Sequence, residues 1–124
     1  VLMALWAGGA VSGTVFGEDR FTLAVVPDAQ RETGDTRTAD RLRWLVGHRE
    51  DLNLKMALFC GDLMNFNLDA QYRHQSEALR VLDEAALPFA MALGNHDTAA
   101  VKEGGSAATG NVRDNLRNTS TFNR

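Results

Sequence analysis

A single cysteine, Cys60, is present in the sequence, so no disulfide can form within the chain. At the end of a predicted buried strand a free thiol behaves as a small hydrophobe, and Cys60 is assigned to the core. An excess of basic residues is also missing. Lys and Arg number 13 against 16 Asp and Glu, a net charge of -3, which leaves no basic stripe to track a phosphate backbone. General nucleic-acid binding is therefore excluded, and a small phosphorylated substrate stays open. No uninterrupted apolar run reaches the roughly 20 residues that a stable membrane span requires. No lysine follows the last glycine of the tract from Gly104-Gly105-Ser106 to Gly110-Asn111, so that tract is a loop and not a P-loop.

Charge is absent from Val1 to Gly17 altogether. Its apolar start, Val1 to Ala7, gives way to Gly8-Gly9-Ala10-Val11-Ser12-Gly13. That order resembles the end of a secretory signal, with Ala10 and Ser12 placed for cleavage before Gly13, although the basic n-region is missing. Residues 1–17 are read either as the remnant of a signal peptide, which predicts a secreted or cell-envelope protein, or as an apolar segment adding a strand or helix to the domain, which leaves a cytoplasmic location open. With no initiator methionine, the sequence reads as beginning inside a longer frame. Residues 18–124 are the domain.

What is present is the ordinary composition of a globular domain, 44% apolar and 23% charged over 124 residues. From Phe21 the pattern is βαβαβ. Phe21 to Val26 is a continuous apolar run, expected as a strand buried on both faces. Thr36 or Thr38 caps a helix running to about Asp51, with Leu42, Leu45, Val46 and Leu52 on one face. Met56 to Cys60 is the second strand. Asp69 caps a second helix, Ala70 to about Ala86, with Ala78, Leu79, Leu82 and Ala86 toward the sheet. Pro88 opens the third strand, Phe89 to Leu93. Two crossovers of this length predict a three-stranded parallel sheet. Its open edge predicts that the isolated chain associates with other copies or aggregates. His48 and His74 fall on solvated helix faces. After Asp97 the chain turns rich in Gly, Ser, Thr and Asn, as expected of loop with one short helix.

Each predicted strand ends in an acid or amide: Asp28 after Val25-Val26-Pro27, Asp62 after Phe59-Cys60-Gly61, and Asn95-His96-Asp97 after Leu93-Gly94. Parallel strands would gather Asp28, Asp62 and Asn95 at one carboxyl edge, the place where open α/β sheets build their sites. Taken singly, each fits a polar turn equally well. In order, Asp28-Ala29-Gln30, Gly61-Asp62-Leu63-Met64-Asn65 and Gly94-Asn95-His96-Asp97 resemble the first three sequence blocks of the calcineurin-like metallophosphoesterases.

That resemblance covers about Phe21 to Asp97 and implies the amino-terminal βαβαβ half of a two-sheet α/β sandwich, incomplete in this chain. It implies two divalent metal ions, Mn, Fe, Zn or Mg, and hydrolysis of a phosphomonoester or phosphodiester by an activated water. By position in the motif, Asp62 would bridge the metals, Asp28 would bind the first and Asn95 the second. His96 would face the substrate and stabilise the phosphate or protonate the leaving alkoxide. Asn65 stands where many members carry a carboxylate that orients this histidine. Gln30 replaces the imidazole of the common D-x-H block with a weaker oxygen donor. The downstream histidine and the G-H-x-H block of the family are not in the sequence. Two alternatives stand beside the enzyme: a non-catalytic module of the same fold used for metal binding or protein contact, and a receiver-like domain with Asp62 as phosphoacceptor, which leaves Gly94-Asn95-His96-Asp97 unexplained.

Overall fold

The structure, a computed structural model, describes the backbone of residues 3–6 and the whole of residues 20–101. The glycine-rich tract after Gly104 lies outside the described residues. Among the described residues four strands form one sheet in the order β1-β2-β3-β4: β1 (Met3–Trp6), β2 (Thr22–Val26), β3 (Leu54–Phe59) and β4 (Phe89–Met91). The expected parallel trio is β2, β3 and β4, joined by α1 (Arg37–Gly47) and α2 (Asp69–Glu84). β1 runs antiparallel to β2, with Met3 opposite Val25, so part of the apolar amino-terminal segment adds an edge strand.

The register sets the geometry of everything above the sheet. Val26 pairs with Phe59, and Phe59 with Met91, so the three strands end level. The ladder continues one residue further, Cys60 N–H donating to Val26 O at 3.0 Å and Ala92 N–H to Phe59 O at 2.9 Å. Three loops therefore leave the sheet side by side.

Both helices lie on one face, packed against each other. Ala24, Val26, Ala57 and Phe59 of the sheet form one core with Leu42 and Leu45 of α1 and Leu82 of α2, and Ala78 of α2 is buried as well. The small side chains of Ala24 and Ala57 let the helices sit close. Burial along β2 alternates instead of being continuous. Leu23, Val25, Met56 and Leu58 point to the opposite face and are only half-buried, which corrects the expectation of a strand covered on both sides. The same alternation corrects the assignment of Cys60. It is exposed because side chains alternate faces and it falls on the face opposite Phe59, beyond the end of β3. Phe21, expected to open β2, lies just before it and is exposed.

The helix ends differ from expectation for local reasons. At α1 Thr36 holds the cap position as expected, but its hydroxyl bonds the Asp40 carboxylate at 2.7 Å, and the Arg37 N–H is taken instead by Asp35 Oδ1 at 3.0 Å. Thr38 is buried and donates to Glu32 at 2.8 Å, where Arg41 completes an ion pair. At α2, Leu68 occupies the cap position without a side-chain bond and Asp69 is already helical. The helix closes with Leu87 N–H on Leu82 O at 2.9 Å and Ala86 N–H on Asp83 O at 3.0 Å, a Schellman ending that places Ala86 at φ +47. His74 is not free in solvent: its Nε2 donates to Asp35 O at 2.8 Å, tying α2 to the loop before α1. His48 caps α1, its Nδ1 2.8 Å from Trp44 O and its ring stacked on Trp44 at 4.3 Å. No helix among the described residues is long and apolar enough to cross a membrane.

Ala86 holds a left-handed conformation that costs a residue with a Cβ about 1–2 kcal/mol. After the unfolded-state entropy of glycine is subtracted, Ala86→Gly is expected to raise stability by about 0.5–1 kcal/mol, read as a higher urea midpoint. Leu82→Ala, which removes a fully buried side chain, is expected to lower it by about 2–5 kcal/mol.

Candidate metal centre

The loops that leave β2, β3 and β4 are joined to one another by hydrogen bonds. Gly61, with φ +98, and Asp62, with φ +50, turn the chain sharply after β3. A Cβ on Gly61 would lie 2.6 Å from Gly94 N, and a Cβ on Gly94 would lie 2.0 Å from Asp62 Oδ1 and 2.5 Å from Asp62 N. The second and third loops therefore touch backbone to backbone, and both contact positions must be glycine. Asp62 then ties all three loops together. Its carbonyl accepts Ala29 N–H at 3.2 Å from the first loop, and its Oδ1 accepts His96 N–H at 3.0 Å from the third.

Asp97 is a second tie, fully buried. Its Oδ1 takes Met64 N–H and its Oδ2 takes Gly94 N–H, both at 2.9 Å. Burial pushes the Asp97 carboxyl above the ordinary range and the neighbouring charge of Asp62 adds to this, while its bonds from the Met64 and Gly94 amides act the other way. Tyr72 of α2 donates its hydroxyl to Asp97 O at 2.6 Å. Its phenol is pushed up to about 12, chiefly by burial and then by the charge of Asp97.

The sequence-predicted residues are distributed as follows. Asp28 and Asn95 are exposed at the strand edge, and Gln30 is half-buried in the single 3-10 turn Gln30–Glu32. Asp62 and His96 are half-buried and in contact. Asn65 reaches His96, but with a different group from the one expected: its main-chain oxygen, not its side chain, lies 2.6 Å from His96 Nδ1. A carbonyl only accepts, so Nδ1 carries the proton. His48 and His74 are not at this edge.

The donors available here are hard oxygens, two carboxylates and two amides, which suit Mg²⁺, Mn²⁺, Fe or Zn²⁺. Asp97 offers none, since its oxygens are taken by amides. Among the described residues no group of three or more His, Cys, Asp or Glu forms a metal-holding cluster. The donor set fits part of a metal site. A cavity of about 690 Å³ runs along α2 past Leu63, Tyr72, Gln75, Phe89 and Met91. None of Asp28, Asp62, Asn95 or His96 lines it, so it is separate from the strand-edge site.

Sequence reasoning missed the residues that brace the site. Gln71 and Gln75 of α2 hold the second loop: Gln71 Oε1 accepts the N–H groups of Asn65 and Phe66 at 2.9 and 2.8 Å, and Gln75 Nε2 donates to Leu63 O at 3.0 Å. Gln75 is buried among core residues, and the spacing of the two amides by one helical turn puts them on one face of α2 without saying what they hold.

A family model described as calcineurin-like phosphoesterase matches residues 21–124. No curated protein and no solved structure matches the chain.

Gly94→Ala is expected to cost more than about 2 kcal/mol, since the new Cβ meets the Asp62 carboxylate at 2.0 Å and also the Asp62 main-chain nitrogen at 2.5 Å, which cannot swing aside; Gly61→Ala meets the Gly94 backbone and adds strain at positive φ. Asp97 allows a test with pH. Its folded carboxyl holds a proton more tightly than the ordinary value of 3.8, so its contribution to stability falls as pH rises from that value through the raised one. Urea midpoints of the unaltered chain minus those of Asp97→Asn should decline across that window. The difference should stay positive throughout, because an amide offers one acceptor oxygen to two N–H donors.

Proposed function

The chain belongs to the calcineurin-like phosphoesterase family, and from that premise we propose that it hydrolyses a phosphate ester, a monoester or diester, at the strand edge where Asp62 and His96 meet. The family's chemistry is metal-dependent phosphoester hydrolysis. The observation that carries the reading is the contact of Asp62 Oδ1 with His96 N–H across the Gly61–Gly94 approach, which joins the second and third motif blocks into one site.

Two divalent cations, when bound, would supply the charge that polarises the phosphoryl group and activates water. Asp28, Asp62 and Asn95 would hold them, with Gln30 as a further neutral oxygen. Asp62 has one oxygen occupied by His96 N–H and keeps Oδ2 for a ligand. His96 has Nδ1 fixed on Asn65 O, which leaves Nε2 as the nitrogen able to address the phosphate or the leaving oxygen. In its protonated form the ring donates Nε2–H to the departing alkoxide. The neutral ring that remains has its proton on Nδ1, already bonded to Asn65 O. The imidazole thus passes through its cycle without turning over.

A second reading keeps the same fold and has it bind metal or a protein without turnover. One assay separates the two. Hydrolysis of a chromogenic phosphate ester should require added Mn²⁺ and fall in Asp62→Ala by at least the about 10–100-fold that loss of even an outer-shell metal partner costs. Hydrolysis that survives Asp62→Ala excludes the mechanism. Mn²⁺ binding without hydrolysis supports the second reading.

A further inference from the structure

Gln71 lies in the first turn of α2 and does not touch His96, yet one rigid group connects them. The Phe66 N–H that donates to Gln71 Oε1 at 2.8 Å and the Asn65 C=O that faces His96 Nδ1 at 2.6 Å belong to the same peptide unit. That unit is planar, and because it is trans its N–H and C=O point in opposite directions. Fixing one end fixes the other. The Asn65 N–H also donates to Gln71 Oε1, at 2.9 Å, so the preceding peptide is held too and Asn65 has no freedom to swing its carbonyl away. Two N–H donors converging on one atom require it to be the oxygen of the carboxamide, which settles the orientation of the amide.

We propose that Gln71 is a positioning residue for His96: its carboxamide oxygen pins the Asn65–Phe66 peptide, and that peptide's carbonyl holds the imidazole in the tautomer with the proton on Nδ1. Bonds in such a chain polarise one another, so accepting the Phe66 N–H strengthens the Asn65 oxygen as an acceptor. The frame is firm. Gln71 N–H is bonded to Leu68 O at 3.0 Å, and one turn on Gln75 holds Leu63 O at 3.0 Å, so both sides of the loop are fastened to α2. The role needs an acceptor two methylenes from the backbone and nothing else of glutamine. It rests on the reading of His96 as the residue that faces the phosphate only for its purpose; the arrangement itself stands on the distances.

The test reads the ring and not hydrolysis, so failure of the phosphoesterase reading and failure of this one are distinguishable. In the full chain labelled with ¹⁵N at histidine, at a pH where the rings are neutral, the His96 nitrogens should show the proton on Nδ1. Gln71→Met, similar in length but with only a weakly accepting thioether, should abolish the single-tautomer pattern at His96 while leaving His48 unchanged, and Gln71→Glu should retain it. An unchanged pattern in folded Gln71→Met, loss in folded Gln71→Glu, or a proton on Nε2 in the unaltered chain overturns the proposal. Should the variants fail to fold, through-bond couplings in the unaltered chain decide it. Couplings from Phe66 N–H to the Gln71 carboxamide carbon and from His96 Nδ1–H to the Asn65 carbonyl carbon are both expected, and absence of either overturns the relay.

Discussion

The backbone approach of Gly61 to Gly94 is the constraint on which the strand-edge site depends. Parallel neighbours β3 and β4 end level, but level strand ends alone leave their loops free to diverge. With Gly94 N only 2.6 Å from where a Gly61 Cβ would stand, the two loops interlock, and Asp62 is brought within reach of the His96 amide. Any side chain at either position wedges them apart. The glycines are costly in the unfolded chain because they have the most freedom to lose. Here that cost is offset by the bonds the approach permits, among them Asp62 to His96 and Asp97 to Gly94.

The interior behind this edge contains buried polar side chains. Asp97, Gln75 and Thr98 are buried as fully as the leucines of the core, and they carry the second and third loops. Polar groups there are not neutral to stability: a buried acceptor without a partner costs about 1–3 kcal/mol, and Gln75 Oε1 and Asn67 Oδ1 are in that state. An apolar α2 would pack with less penalty, but it could not fasten a loop whose backbone donors and acceptors turn inward. The sheet and the leucine face of the helices supply the stability. The amide face of α2 spends part of it on fixing where Asn65, Asp62 and His96 sit.

Much of this was legible in the sequence. Apolar runs located β2, β3 and β4, helical spacing located Leu42, Leu45 and Leu82 on the buried face, and the acid or amide after each strand located the edge. Thr36 stands at the amino-terminal cap position of α1 as expected, but its hydroxyl is turned to Asp40 and the first free N–H is taken by Asp35. Cys60 was misjudged because a run of apolar letters does not say which face of a strand is covered. The means of holding His96 was illegible for a deeper reason. Side-chain identity at position 65 suggests a side-chain partner, whereas the group used is a carbonyl that every residue possesses. Its direction is set by tertiary contacts with Gln71, which no local pattern encodes.

Two aspartates in adjacent motif blocks show how environment assigns roles to identical side chains. Asp97 has no exposed surface, with each carboxylate oxygen engaged by an amide N–H, and burial weakens its hold on charge. Such a group ties loops and offers nothing to a ligand. Asp62 is half-exposed and spends one oxygen on His96 N–H, so its second oxygen is available. Exchanging the two environments would exchange the roles. The carboxylate able to serve a cation is the one its loop leaves incompletely satisfied, and that incompleteness is made by the left-handed turn at Gly61 and Asp62, which presents the side chain beside the third loop's backbone and not beneath it.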